Sequence, residues 1–343
     1  MPSALVCPDK FKGTLSAAAV AAAMEAGLQR AGFDEIASLP LADGGEGTLD
    51  ALVAARGGSR RQATVSGPLG DPVDAEWALL PGGVAVVEMA RASGLGLMPR
   101  VRDPLRASTR GTGELIAAAI RAGARRVIVG VGGSATTDGG LAALEALGWS
   151  LGSVPVTVAC DVTTPFLDAA TVFAPQKGAT DAQVALLTRR LASLAETYEQ
   201  RTGVDVRTLP GAGAAGGLAG GLAAIGAELD SGFDVVATAV GLDDALDDVD
   251  LVVTGEGRLD ATSFAGKVVG GVLEWSADAG VPHVAVVAGQ VTADAREEME
   301  LHAGAQLLAL TDRVWQSAET FSRAAVLVEE ATLEAGRSVV DES

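Results

Sequence analysis

The chain has 343 residues, enough for about two domains, and 48% of them are apolar with 44 glycines, so it can bury a sizeable core. Its 25 basic side chains against 44 acidic ones give a net charge of -19, which argues against nucleic acid or an anionic membrane surface as a partner. No apolar run approaches the length of a membrane span and no secretory leader precedes the first strand, so a soluble, cytoplasmic protein is expected.

In chain order, Ala4–Cys7 reads as a buried strand, and Ser16 as the cap of an Ala-rich helix that ends near Gly32. Ile36–Leu39 reads as a second strand, followed by ADGGEGT and a helix over 48–55. After Gly57 the pattern changes to short alternating runs with turn signals, as expected of antiparallel strands, and a different domain begins. That domain continues through the strand RRVIVG, the loop VGGSATTDGG, the helix LAALEALG, the strand VTVACD and a Gly/Ala-rich helical segment after Pro210. From Asp250 the parallel pattern returns in DLVVTGEG, PHVAVVAGQ and AQLLALTD, spaced by helices and followed by an amphipathic tail. Two strands before and three after predict an α/β, flavodoxin-like doubly wound parallel sheet over 1–60 and 241–343, with a second α/β domain inserted over 61–240.

Polar loops at the carboxyl ends of such strands are where an open α/β sheet binds ligands. All four lysines lie in short Gly-, Asp- or Pro-marked segments, Lys10 and Lys12 in CPDKFKGT, Lys177 in APQKGAT and Lys267 in SFAGKVVGG. An ammonium on a flexible stem suits phosphate, whereas every other basic residue except the two histidines is arginine. With Asp43, Glu46, Glu256 and Asp260, Lys10 and Lys12 form the charged rim of the outer sheet. In the inserted domain Gly132, Gly133, Ser134 and Thr136 read as a phosphate-binding nest with Lys177 nearby in function, and Asp138 with Asp161 as magnesium ligands. Arg91 beside Ser93, or Arg110, reads as a carboxylate clamp. Plain alternatives stand beside each: βα loops are polar by default, Asp138 and Asp161 also read as helix-cap or turn residues, and Glu114 also reads as serving the helix dipole. His283 and His302 have neither metal nor triad spacing, and Cys7 and Cys160 read as reduced core thiols. A rival class is an NAD(P)-dependent oxidoreductase using GAGAAG, Gly211–Gly216; Pro210 directly before it and the unconvincing strand upstream weigh against it. A non-catalytic binding module leaves the lysine and carboxylate loops unexplained.

Nine ordered segments, CPDKFKGTLSA, LADGGEGT, EMARASGL, STRGTGELI, VGGSATTDGG, VACDVTTPF, FAPQKGAT, LPGAGAAGGL and VVTGEGRLD, resemble the type I family of bacterial glycerate kinases over nearly the whole chain. The resemblance implies a flavodoxin-like domain with an inserted domain resembling a restriction-endonuclease fold. It also implies ATP-dependent phosphorylation of D-glycerate, with 2-phosphoglycerate favoured over 3-phosphoglycerate. One departure is a short link over 147–156. The expected roles are Asp43 as base, Lys10 and Lys12 on transferring or substrate oxygens, and Arg91, Ser93, Arg110, Glu256 and Asp260 on substrate. Gly132, Gly133, Ser134, Thr136 and Lys177 are expected on ATP, and Asp138 and Asp161 on Mg2+. A homodimer is compatible with the sequence.

Overall fold

The computed structural model describes residues 2–100, 102–302, 304–314 and 318–342. Its strands are, in chain order, β1 (Ser3–Val6), β2 (Glu35–Ser38), β3 (Ser59–Ser66), β4 (Pro72–Leu80), β5 (Val84–Glu88), β6 (Arg126–Gly130), β7 (Val156–Cys160), β8 (Glu228–Ser231), β9 (Leu251–Leu259), β10 (His283–Val291) and β11 (Ala305–Ala309). The chain divides into two compact units, one of Met1–Asp43, Asp50–Ala55 and Phe233–Ser343, the other of Gly44–Leu49 and Arg56–Gly232.

The first unit is a five-stranded sheet in the order β2-β1-β9-β10-β11, every pair parallel. Successive residues of a strand face opposite sides, and both sides are apolar here. Val6, Val253, Ala285 and Val287 pack with Met24 and Leu28 of helix Ala17–Ala31 and with Leu327, Val328 and Ala331 of helix Ala324–Glu342. Val286, Ala288 and Leu259 pack on the other side with Val269 and Leu273 of helix Val268–Asp278. Helices on both faces make the sheet doubly wound, as the strand pattern predicts. The first helix starts and stops on the expected residues: the Ser16 hydroxyl accepts from the Ala19 amide at 3.2 Å, and Gly32 closes it at φ +103°.

The second unit holds a six-stranded sheet, β3-β4-β5-β6-β7-β8, antiparallel from β3 to β5 and parallel from β5 to β8. Its core joins Val127, Val129 and Val158 to Leu115 and Ile116 of helix Arg110–Arg121, and Phe166 to Leu187, Leu191 and Tyr198 of helix Asp181–Thr202. Both cysteines are free thiols. No helix of the described residues is long and apolar enough to cross a membrane.

The GAGAAG segment does not make a dinucleotide fold. A 3-10 turn, Val206–Thr208, precedes it instead of a strand. Ala215, Gly216 and Gly217 all take positive φ, and a Cβ at Gly217 would meet the Gly139 Cα at 2.8 Å. These glycines serve close packing against the 136–139 turn.

Candidate active site

In the first unit strand order reverses between β1 and β9, the place where open α/β sheets carry ligands. The chain leaving β1 stays beside β9, with the Asp9 amide donating to the Gly255 carbonyl at 2.9 Å. A Cβ at Gly257 would sit 3.0 Å from the Phe11 Cα and 3.1 Å from the Lys12 amide nitrogen, so only glycine lets the first loop lie against that strand. The result is a cluster of Asp9, Lys10, Asp43, Glu256, Asp260 and Lys267, whose charges act on one another. Burial pushes the Asp9 carboxyl up to about 6, Lys10 opposing from 3.5 Å and Asp43 reinforcing. Burial pushes Glu256 further, to about 7; its hydrogen bond to Ser263 and the Lys267 charge pull it down, while Asp9 and Asp260 add to the rise. One Glu256 oxygen, Oε1, is buried and has no hydrogen-bond partner. A carboxyl that titrates near neutrality in a cluster of charges has the character of a general base.

Beside this cluster a cavity of about 270 Å3 is lined by Lys12, Thr14, Gly257, Arg258, Gly289 and Gln290, with Phe11 and Phe321 as apolar walls. Two cations in a small cavity of a strongly acidic protein suit a small organic anion. Asp260 is differently employed. Its Oδ1 accepts from the Thr262 amide at 3.0 Å and from the Thr262 hydroxyl at 2.6 Å, which holds its carboxyl below the usual range, and Lys267 donates to that same hydroxyl at 2.7 Å. Asp260 caps a turn.

In the second unit several expected ligand residues turn out to hold the scaffold. Arg91 donates from Nε to Glu88 and from Nη1 to Glu76, both at 2.7 Å. Glu88 in turn accepts the Gly47 and Leu49 amides at 2.9 Å on its other oxygen, so Arg91 braces the start of the helix at Thr48. Ser93 is fully buried and its oxygen accepts from the Thr112 hydroxyl at 2.9 Å. Arg110 is exposed and pairs with Glu114 one helical turn on, at 3.1 Å. The glycines of VGGSATTDGG pack backbone on backbone: a Cβ at Gly132 would meet the Gly45 Cα at 2.7 Å, and Gly133 takes φ +71°. Ser134 pairs across an isolated bridge with Gly94.

Asp138 sits at the centre of this region, half-buried. Its Oδ2 accepts from both the amide and hydroxyl of Thr109 at 2.8 Å, and its Oδ1 from the Gly140 amide at 3.2 Å. Burial raises its carboxyl and the Thr109 bonds oppose the rise. Lys177 is 2% exposed and its Nζ donates to the Thr136 carbonyl at 2.5 Å. Burial lowers its ammonium to about 7, against the pull of Asp138. The Thr136 hydroxyl donates to the Ala215 carbonyl at 3.4 Å, and Tyr198 donates to Gly139 at 2.8 Å. Lys177 and Asp138 therefore both bond to the backbone and side chains around this turn. Asp161 lies exposed at the end of β7, where it and Asp230 add to the burial that pushes the Cys160 thiol up to about 11. Among the described residues no three His, Cys, Asp or Glu side chains are grouped to hold a metal. Asp138 already accepts three protein hydrogen bonds, and an ion that keeps its waters and rides on substrate phosphates needs few protein ligands.

The comparisons with known proteins agree along the chain. The sequence model described as "Glycerate kinase family" matches residues 4–153 and 150–340. The chain belongs to the glycerate kinase family. It is 42% identical to "Glycerate 2-kinase" of Escherichia coli (strain K12) over 327 residues, covering 84% of this chain and 86% of that one. It is 41% identical to "Glycerate kinase" of Bacillus subtilis (strain 168) over 328 residues, covering 84% and 85%. A crystal structure assigned to glycerate kinase 2 from Salmonella typhimurium LT2 superposes with a TM-score of 0.84 at 36% identity, covering 99% of this chain and 98% of that one. Family membership makes the protein an enzyme, a phosphotransferase of the glycerate kinase class. The two matched stretches of the family overlap at 150–153, inside the link over 147–156.

The structure brings Lys10, Asp43 and Glu256 together in one unit and puts Lys12 in the adjoining cavity. Two members of this rim are missing from the sequence reading. Asp9 lies inside the quoted segment CPDKFKGT, where the flanking lysines draw notice, and its signal is an acid directly after the proline that ends a buried strand. Arg258 lies between Glu256 and Asp260, and the period of two along β9 places it on the same face as both.

Proposed function

We propose that the protein transfers the γ-phosphoryl group of ATP to the C2 hydroxyl of D-glycerate, giving 2-phosphoglycerate and ADP. The observation that carries this reading is the Glu256 carboxyl, titrating near 7 with a buried, unpartnered oxygen beside a small cation-lined cavity. Lys12 and Arg258 hold the glycerate carboxylate in that cavity, which is of a size for a three-carbon acid. Glu256 accepts the hydroxyl proton as the substrate oxygen bonds to the γ-phosphorus and the bond from phosphorus to the ADP oxygen breaks; the proton then passes from Glu256 to solvent. Asp9 and Asp43 raise the proton affinity of the cluster, and Lys10 offsets part of their charge. The name of the Escherichia coli relative supports the C2 position. Catalysis is otherwise positioning and charge neutralisation, as phosphoryl transfer requires little covalent help from the protein.

The test is an assay of purified protein with D-glycerate and MgATP, coupled directly to enolase. Enolase consumes 2-phosphoglycerate, and 3-phosphoglycerate enters only when a mutase is added. Signal without mutase supports the reading; signal that depends on mutase moves the transfer to C3, and no ADP release at all removes the reading.

A further inference from the structure

Gln290 lines the cavity of about 270 Å3 in the first unit and has no part in the reaction described above. It lies near the carboxyl end of β10, where the register pairs it with Arg258 of β9, while Ala288 pairs with Glu256. Residues paired across parallel strands share a face and stand about 4.8 Å apart, and residues two apart on one strand lie about 6.6 Å apart on that face. Gln290 therefore stands beside the Arg258 guanidinium and diagonally across from Glu256. We propose that the Gln290 carboxamide hydrogen-bonds the C3 hydroxyl of the substrate and so selects 2,3-dihydroxy acids over 2-hydroxy acids that lack this group. The inference rests on the reading of this cavity as the glycerate site with transfer at C2, and it adds the source of specificity.

Three observations point to this role. Gln290 is half-buried, and among the described residues its side chain makes no hydrogen bond. Polar neighbours are already engaged: Asp260 accepts from the Thr262 amide, and the Thr292 hydroxyl donates to the Leu259 carbonyl at 3.2 Å. The chemistry of the wall is also divided. Lys12 and Arg258 only donate and suit a carboxylate, and an ionised Glu256 only accepts and suits the proton it removes. A carboxamide both donates and accepts, which matches a neutral hydroxyl that stays a hydroxyl through the reaction. The backbone presenting Gln290 is also fixed. A Cβ at Gly289, the residue before it, would meet the Gly257 carbonyl oxygen at 2.4 Å, so β10 lies tight against β9 at this point. Arg258, Glu256 and Gln290 thus mark a triangle on one face of the sheet, and the carboxylate, C2 hydroxyl and C3 hydroxyl of glycerate branch from adjacent carbons to meet it.

The experiment compares kcat/KM for D-glycerate and for D-lactate, which carries a methyl group in place of the C3 hydroxymethyl, by ADP release with MgATP. Wild type, Gln290→Leu, Gln290→Ala and Lys12→Met are measured side by side, with thermal unfolding of each. Wild type should favour D-glycerate by about ten- to hundredfold, because a half-buried amide that lactate leaves unpaired still reaches water and discriminates less than a fully buried one. Both Gln290 variants should lose most of this preference, through a lower kcat/KM on D-glycerate with D-lactate unchanged or improved. Lys12→Met removes a carboxylate contact that the two acids share, so it should weaken both and leave their ratio in place. Wild type that uses the two acids equally, or Gln290 variants that keep the wild-type ratio, overturns the inference. Failure of the underlying reading shows separately, as a wild-type signal with D-glycerate that depends on mutase or is absent, and it overturns the inference as well. If Gln290→Leu does not fold, Gln290→Ala decides the matter.

Discussion

Replacing Glu256 by glutamine removes an ionisable group with little change of shape, and its consequences for stability and for rate have opposite signs. Burial raises the Glu256 carboxyl from its ordinary 4.5 to about 7. At about 1.4 kcal/mol for each pH unit of that difference, folding disfavours the ionised form by about 3 kcal/mol. The folded protein binds this proton more tightly than the unfolded chain. Its stabilising contribution is therefore complete below about 4.5 and lost as pH rises through about 7. Glutamine carries no such dependence. Urea unfolding of both proteins at a series of pH values should show the variant gaining on wild type by about 3 kcal/mol between pH 4 and pH 8. Turnover moves the other way: loss of a general base lowers kcat/KM by roughly a hundred- to ten-thousandfold, and the acid limb near pH 7 disappears from the profile of the residual activity. A variant that keeps wild-type kcat/KM, or whose residual activity keeps that limb, refutes the base assignment. A stability difference that does not change with pH refutes the burial on which it rests.

Lys12→Met or Arg258→Met should raise the glycerate KM about ten- to hundredfold with kcat much less affected, since each removes a carboxylate contact; steady-state kinetics decides it, and because both side chains are exposed their unfolding free energies should stay within about 0.5 kcal/mol of wild type. Asp138→Asn places an amide against the Thr109 and Gly140 donors and should cost about 2–3 kcal/mol of stability in urea unfolding, with an unchanged magnesium concentration for half-maximal rate; a raised magnesium requirement with stability intact would restore the metal role. Lys177 is lowered from 10.5 to about 7, so its neutral form favours folding fully above about 10.5 and that contribution fades as pH falls through about 7. Wild type should therefore gain stability relative to Lys177→Met as pH is raised from about 7 to about 9.5, read by thermal unfolding at each pH, and a flat difference would contradict the burial of the ammonium.

The outer sheet was legible because its strands are buried on both faces and so stand out as apolar runs, and because Ser16 and Gly32 bracket the first helix with the caps that a helix needs. The observed order β2-β1-β9-β10-β11 is that of the flavodoxin-like sheet that two strands before and three after the insertion suggest. The partners of the site residues were not legible for one physical reason: a sequence shows which side chains are charged and not which groups they will meet. Arg91 was readable as a clamp, but the two glutamates that take its guanidinium come from β4 and the end of β5, 15 and 3 residues away. Glycine pairs beside polar residues suggested an oxyanion nest, whereas Gly132 is glycine because another backbone passes 2.7 Å from where its Cβ would be.

The fate of the carboxylates shows what further could have been extracted. Asp260 stands two residues before the Thr262 amide it accepts, and Asp138 two before the Gly140 amide, which is the local spacing of a turn or cap. Asp260 thus finds its donors close by in the chain, whereas Asp138 takes its two shorter bonds from Thr109, 29 residues away. Glu256 is placed differently, inside a strand whose backbone amides are committed to the ladder between β9 and β10, so no nearby amide is free to satisfy it. A carboxylate in mid-strand near the carboxyl end of a buried parallel sheet must keep its proton affinity high or be paired by a distant partner. Glu256 keeps one oxygen unpartnered and titrates near neutrality, and that separates the base from the caps around it.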